Sequence, residues 1–156
     1  MPVLILHNIR SVHNVGSIFR TADAAGVSKI FLTGYTPTPL DRFNRERKDF
    51  NKVSLGAEKT VLWEAAPQLA PVLKKLKQDG YEIIAVEQCK SSTPLFDYKP
   101  NNKKIALILG NEVLGISTPS LKYADHVLEI PMHGKKESLN VSVAAGIALF
   151  ALLNAN

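Results

Sequence analysis

Cysteine is almost missing: Cys89 stands alone among 156 residues, which excludes an internal disulfide framework. No apolar run reaches the about 20 residues needed to span a bilayer. The longest lies at the C-terminus, and its Ser, Gly and Asn punctuation suits a core helix better. The opening stretch MPVLILHNIR has neither the basic region nor the cleavage site of a signal peptide. There is no G-x-G-x-x-G opening a helix, no P-loop and no G-x-S-x-G elbow, so dinucleotide, nucleotide-triphosphate and elbow-type hydrolase chemistry lose their usual signatures. His7, His13, His126 and His133 show no metal-ligand spacing and have no companion cysteine cluster, so no metal is expected. A soluble, cytoplasmic protein without a membrane partner is the expectation.

What is present is ordinary globular composition, 46% hydrophobic and 21% charged, in a length that suits one domain with a real core. No repeat, low-complexity tract or domain boundary is visible, so residues 1–156 read as a single domain. The net charge of +5 favours a polyanionic partner. The segment DRFNRERKDFNK gathers Arg42, Arg45, Arg47, Lys48 and Lys52 around Phe43 and Phe50. It reads either as a solvated helix face laced with acids or as a phosphate-tracking surface with aromatics for base stacking.

Strand-like and helix-like segments alternate. VLILHNI, KIFLTG, TVLWE, YEIIAVE, KIALILG and HVLEIPM read as six strands. Several are continuously apolar, as expected of a parallel sheet covered on both faces. Between them VGSIFRTADAAG reads as a helix capped by Asn14 and ended by Gly26, and PQLAPVLKKLKQDG as an amphipathic helix closed by Gly80. The last helix, from Val141 to Leu153, is apolar almost all round and should be buried. The alternation predicts an α/β fold with a mostly parallel six-stranded sheet flanked by helices.

Ligands in such sheets sit beyond the carboxyl ends of the strands. Three polar segments occupy those places. NIRSVHNVGSIFR carries Asn8, Arg10, Asn14 and Arg20, and the apolar neighbours of Arg20 imply that it needs an anionic partner. ILGNEVLGIS carries Gly110, Gly115 and Glu112, which is either a turn residue, a partner for Arg20 or a ligand acceptor. IPMHGKKESLNVS carries Lys135, Lys136, Ser138 and Asn140. Ser138 suits an N-cap, but a single cap leaves Asn140 unexplained.

Taken together, NIRSVHNVGSIFRTADAAGV, LILGNEVLGIS and IPMHGKKESLNVSVAAGIALF closely resemble the three signature motifs of the SpoU (TrmH-type) ribose methyltransferases of the SPOUT superfamily. KVSLGAEKT resembles the family's mid-domain segment, and the motif order is kept. The resemblance implies an α/β domain with a deep C-terminal trefoil knot, an exception to the usual absence of knots. It implies a homodimer built through the first and last helices. It also implies methyl transfer from S-adenosyl-L-methionine to a ribose 2′-hydroxyl of RNA, a compact tRNA being the first expectation and rRNA the second.

By motif matching, Gly110, Ile130 and Leu139 would contact the cofactor, with Leu109 and Met132 lining its pocket. Asn14, Arg20, Glu112, Ser138 and Asn140 fall on catalytic and RNA-positioning residues, with Glu112 holding Arg20. A protonated guanidinium has no acceptor lone pair, so Arg20 better serves to bind phosphate and steady the developing alkoxide than to act as a base. No separate RNA-binding domain is expected, which turns Arg10, Arg42, Arg45, Arg47, Lys48, Lys135 and Lys136 into the RNA-binding candidates. The competing readings are an RNA base methyltransferase and a non-catalytic RNA-binding module.

Overall fold

The structure is a computed structural model that describes residues 1–155. The chain runs β1 (Val3–His7), α1 (Val12–Ala24), β2 (Lys29–Thr33), α2 (Lys48–Ser54), α3 (Ala57–Thr60), β3 (Leu62–Ala66), α4 (Leu69–Gln78) and β4 (Glu82–Val86). It continues through β5 (Thr93–Pro94), a 3-10 turn (Leu95–Asp97), β6 (Ile105–Leu109), α5 (Thr118–Leu121), β7 (His126–Glu129) and α6 (Val141–Leu153). The strands form one sheet in the order β3-β2-β1-β6-β4-β7-β5, and every pairing is parallel.

The sheet thus has seven strands rather than the expected six. The extra one, β5, pairs only Thr93 with Leu128 and Pro94 with Glu129, at the sheet edge. Proline lacks the N–H that an inner strand would need, so the edge is where it fits. Two residues are also too few to show a period.

Alternation along each strand divides the core. Leu4 and Leu6 of β1, with Leu107 and Leu109 of β6, face a cluster covered by α1, α2, α3 and α6. Val3 and Ile5, with Ala106 and Ile108, face the opposite cluster under α4. Both faces being covered explains the unbroken apolar runs.

Helix α1 starts earlier than its sequence suggests. Ser11, not Asn14, is the N-cap, and its Oγ accepts from the Asn14 N–H at 3.1 Å. At the other end Gly26 takes φ of 68°, and the N–H groups of Gly26 and Val27 close onto Asp23 and Ala22. Gly16 lets α2 come close: a Cβ there would lie 3.1 Å from the Val53 Cβ. Phe50 fills this α1–α2 contact, fully buried and edge-on to Phe19 at 5.1 Å between centroids. It is therefore not available for base stacking.

Helix α6 buries Val141, Ala145, Ala148, Leu149 and Leu152 and packs on α1 and β6. Its other face is open: Val143 is 50%, Phe150 45% and Leu153 40% exposed. The expected all-round burial does not occur within one chain. Among the described residues no helix is long and apolar enough to cross a membrane.

Candidate functional site

The carboxyl ends of β1, β4, β6 and β7 are neighbours in the sheet, so the loops that leave them meet above its centre. There the loops after β4, β6 and β7 and the first turn of α6 wall an open cavity of about 370 Å³. Among the expected residues, Leu109, Gly110, Glu112, Ile130, Met132, Ser138 and Leu139 all line it. Its ionisable lining is entirely acidic, from Glu87, Glu112, Glu129 and Glu137.

The floor is shaped by two glycines. A Cβ on Gly110 would stand 2.7 Å from the backbone of Gly115 and 2.6 Å from Ile116 Cγ1, so a side chain there would push the loop off the strand. Gly115 has φ of 65°, a conformation that other residues adopt at a cost. Between them Asn111 builds the turn. Its Oδ1 accepts from the N–H groups of Val113 (2.9 Å) and Leu114 (2.8 Å). Its amide nitrogen donates to the Asn8 carbonyl (2.9 Å) and to the Tyr35 hydroxyl oxygen (3.0 Å), which ties the turn to the end of β1.

Glu112 does not hold Arg20. Its carboxylate accepts from the N–H groups of Arg10 and Ser11 and from the Asn14 amide, all at 3.1 Å. Helix α1 has no acid in its first turn, so Glu112 supplies the negative charge that a helix N-terminus favours from a segment far along the chain. Burial alone would raise its pKa. The hydrogen bonds from Arg10, from its own backbone, from Asn14 and from Ser11 outweigh that and leave it below the usual value of 4.5.

Asn14 is the junction of the three motifs. It is 9% exposed, donates to Glu112, and accepts from the Asn140 amide at 3.1 Å. Asn140 in turn caps α6: its Oδ1 accepts from the Ser142 N–H at 2.9 Å and the Ser142 hydroxyl at 2.6 Å. The cap is thus Asn140 and not Ser138, which stays exposed at the cavity edge.

Arg20 lies on the exposed side of α1 and, among the described residues, has no carboxylate within ion-pair distance. The expectation of an anionic partner rests on burial, and Arg20 is exposed to solvent, where a free guanidinium needs none. The basic segment also differs from a helix face. Residues 40–47 form a turn closed by an antiparallel bridge between Leu40 and Glu46, and α2 begins only at Lys48. Arg45 pairs with Asp41 at 2.9 Å and Arg47 is held by both oxygens of Asp49. Arg10, Arg42, Lys48, Lys135 and Lys136 have no carboxylate partner among the described residues.

Glu87, Asn111, Glu129 and Glu137 escaped the sequence reading, and two of them shape the loops. Glu87 lines the cavity and accepts from the N–H groups of Gln88 (2.9 Å) and Ile116 (2.8 Å), so it clamps the second loop to the end of β4. Asn111 is the other. Both stand just past a strand's carboxyl end, and that position was the available signal.

The sequence model of the SpoU rRNA Methylase family matches residues 1–150. The chain belongs to this family. The SpoU chain is 35% identical over 147 residues to the 23S rRNA (guanosine-2′-O-)-methyltransferase of Neisseria meningitidis serogroup B, covering 94% of itself and 56% of that protein. It is 34% identical over 152 residues to the tRNA (guanosine(18)-2′-O)-methyltransferase of Thermus thermophilus, covering 94% of itself and 71% of that enzyme. It therefore spans little more than half the length of the rRNA relative. Among solved structures, the AdoMet-bound rRNA methyltransferase of Sinorhizobium meliloti superposes with a TM-score of 0.86 at 27% identity, over 96% of this SpoU chain and 54% of that one.

Proposed function

We propose that this chain is the catalytic unit of a cytoplasmic, S-adenosylmethionine-dependent RNA methyltransferase that acts on a ribose 2′-hydroxyl, in tRNA first and rRNA second. The observation that carries this is the bridge from Glu112 through Asn14 to Asn140, which joins all three motifs beside one acid-lined cavity. Curated relatives with this reaction in their names support it.

S-adenosylmethionine, when bound, supplies an electrophilic methyl on a cationic sulfur. The cavity suits it: about 370 Å³ is within the range of small-molecule sites, and a lining with four glutamates and no basic side chain favours a cation. The backbone at Gly110, Ile130 and Leu139, with Leu109 and Met132 lining the pocket, is the part of the chain that would hold the group.

The 2′-hydroxyl must lose its proton as its oxygen gains a carbon. Arg20, exposed and unpaired, is free to grip a phosphate beside the reacting ribose and to steady negative charge on the 2′ oxygen. Ser138, open at the cavity edge, or the neighbouring phosphate would relay the proton from that oxygen to solvent. Glu112, Asn14 and Asn140 position these groups by fixing the N-termini of α1 and α6 against the second loop. RNA would be gripped by the unpaired Arg10, Arg42, Lys48, Lys135 and Lys136, with Arg45 and Arg47 contributing beside their aspartates.

A homodimer belongs to the same proposal, and the open apolar face of α6 supports it. So does a trefoil knot. β7 lies outside β4, yet α6 packs on α1 and β6, so residues 130–140 must recross the carboxyl edge along the cavity. A single domain of residues 1–156 completes the reading.

The test is incubation with methyl-labelled S-adenosylmethionine and unmodified tRNA or rRNA transcripts, followed by digestion to nucleosides. Label on a 2′-O-methyl nucleoside is the expected result. Label on a base would make the protein a base methyltransferase. No label in either pool, without cofactor binding, would favour the non-catalytic module; with cofactor binding, it would point to a missing partner or an untested RNA.

A further inference from the structure

Phe43 is 62% exposed at the tip of a turn that is anything but loose. The Asp41 N–H donates to the Arg45 carbonyl at 2.8 Å, and the Asn44 N–H donates to the Asp41 carbonyl at 3.0 Å. One Asp41 carboxylate oxygen accepts from the N–H groups of Phe43 (2.8 Å) and Arg45 (3.0 Å), and the other accepts from Arg45 Nε at 2.9 Å. Asn44 takes φ of 58°, and the Arg47 N–H closes the base of the turn onto the Pro39 carbonyl at 3.0 Å. The backbone is satisfied inward, and the phenyl ring is held outward.

Two guanidinium groups flank that ring, Arg42 at 4.8 Å and Arg45 at 4.9 Å from its centroid. Asp41 neutralises Arg45, while Arg42 has no carboxylate partner among the described residues. An exposed phenyl ring gains nothing from solvent, and a polar residue would close the same turn. The charge beside the ring narrows what would cover it in use. A second copy meeting this turn with its own would bring like charges together, which repel. A nucleobase with its phosphate satisfies every group: its π-face stacks on the ring and guanidinium planes, and its phosphate meets Arg42.

We propose that Phe43 is a stacking platform for an unpaired nucleobase of the substrate RNA, framed by Arg42 and Arg45. This rests on the RNA-methyltransferase reading and narrows its substrate to RNA that offers a single-stranded loop, because paired bases within a duplex present no free face. The platform is within reach of the cavity. Tyr35, which accepts from Asn111 of the cavity loop, precedes Phe43 by eight residues, a span of at most about 28 Å. A loop that delivers its ribose to the cavity can therefore lay another base on Phe43.

Fluorescence anisotropy tests this with a labelled hairpin carrying a randomised unpaired loop, beside a fully paired duplex of the same stem. Loss of one stacked base predicts that Phe43→Ala binds the hairpin about 10- to 100-fold more weakly, with duplex binding, salt slope and S-adenosylmethionine affinity unchanged. Arg42→Ala instead flattens the salt slope. Phe43→Trp keeps hairpin affinity, and its added fluorescence is quenched on binding. Equal hairpin affinity for Phe43→Ala and the wild type would overturn the proposal, as would an equal loss on the duplex. A change in association state on Phe43→Ala without loss of RNA binding would make the ring a protein contact and overturn it too. A wild type that binds cofactor but neither RNA would instead overturn the RNA reading on which the proposal rests.

Discussion

Asn14 divides its side-chain amide between two segments, donating to Glu112 and accepting from Asn140. A hydrogen bond to a charged group contributes about 1.5–3 kcal/mol, and removing one partner of a buried pair strands the other. Asn14→Ala should therefore lower methyl transfer by orders of magnitude, and Asn140→Ala added to it should cost far less than the two separately, in a double-mutant cycle on kcat. Gly110→Ala acts differently. Its Cβ would meet backbone at 2.7 Å, so weaker cofactor binding and a lowered melting temperature are both expected, by calorimetry. Glu112 gives a pH dependence with a definite sign. Its folded pKa lies below the ordinary 4.5, so its contribution is complete above that value and fades as pH falls through the folded one. Urea midpoints of Glu112→Gln should accordingly be lower than those of the wild type near neutrality and converge with them in acid. The residue types at this site were legible in the motifs, but their partners were not. Ser11 and Asn14 are both good caps three residues apart, and only the position of Glu112 across the fold makes Asn14 the bridge and Ser11 the cap.

At the scale of elements, α6 is where pattern and surroundings part. A helix apolar all round predicts burial on every side. Part of that burial is provided by α1 and β6, and the face bearing Val143, Phe150 and Leu153 stays open, which is why the proposed dimer is placed there. Phe150→Glu with Val143→Glu should convert a dimer to monomers in sedimentation velocity while the helical content is kept; an unaltered mass would place the dimer contact elsewhere. The strands β1, β2, β4 and β6 were readable because both of their faces are largely buried. β5 was not, since two residues carry no period and the pairing with β7 is set by the path of the chain. The basic segment was legible as charge but not as shape. Its turn depends on Asp41 collecting two backbone N–H groups, and the same geometry buries Phe50 while it exposes Phe43.

For the whole molecule, the order β3-β2-β1-β6-β4-β7-β5 brings segments distant in sequence to one edge. Motif one leaves β1, motif two leaves its neighbour β6, and motif three leaves β7 one strand beyond β4. That arrangement separates two tasks: the loops after β6 and β7 line the cavity, while α1 carries Arg20 on an exposed face outside it. The most direct test measures S-adenosylmethionine affinity and single-turnover methyl transfer to RNA side by side for the wild type and Arg20→Ala. The account predicts affinity within about twofold of the wild type, with the transfer rate at saturating cofactor lower by a hundredfold or more, as expected for a group that acts mainly in the transition state. An unchanged transfer rate, or a loss explained wholly by weaker cofactor binding, would contradict it.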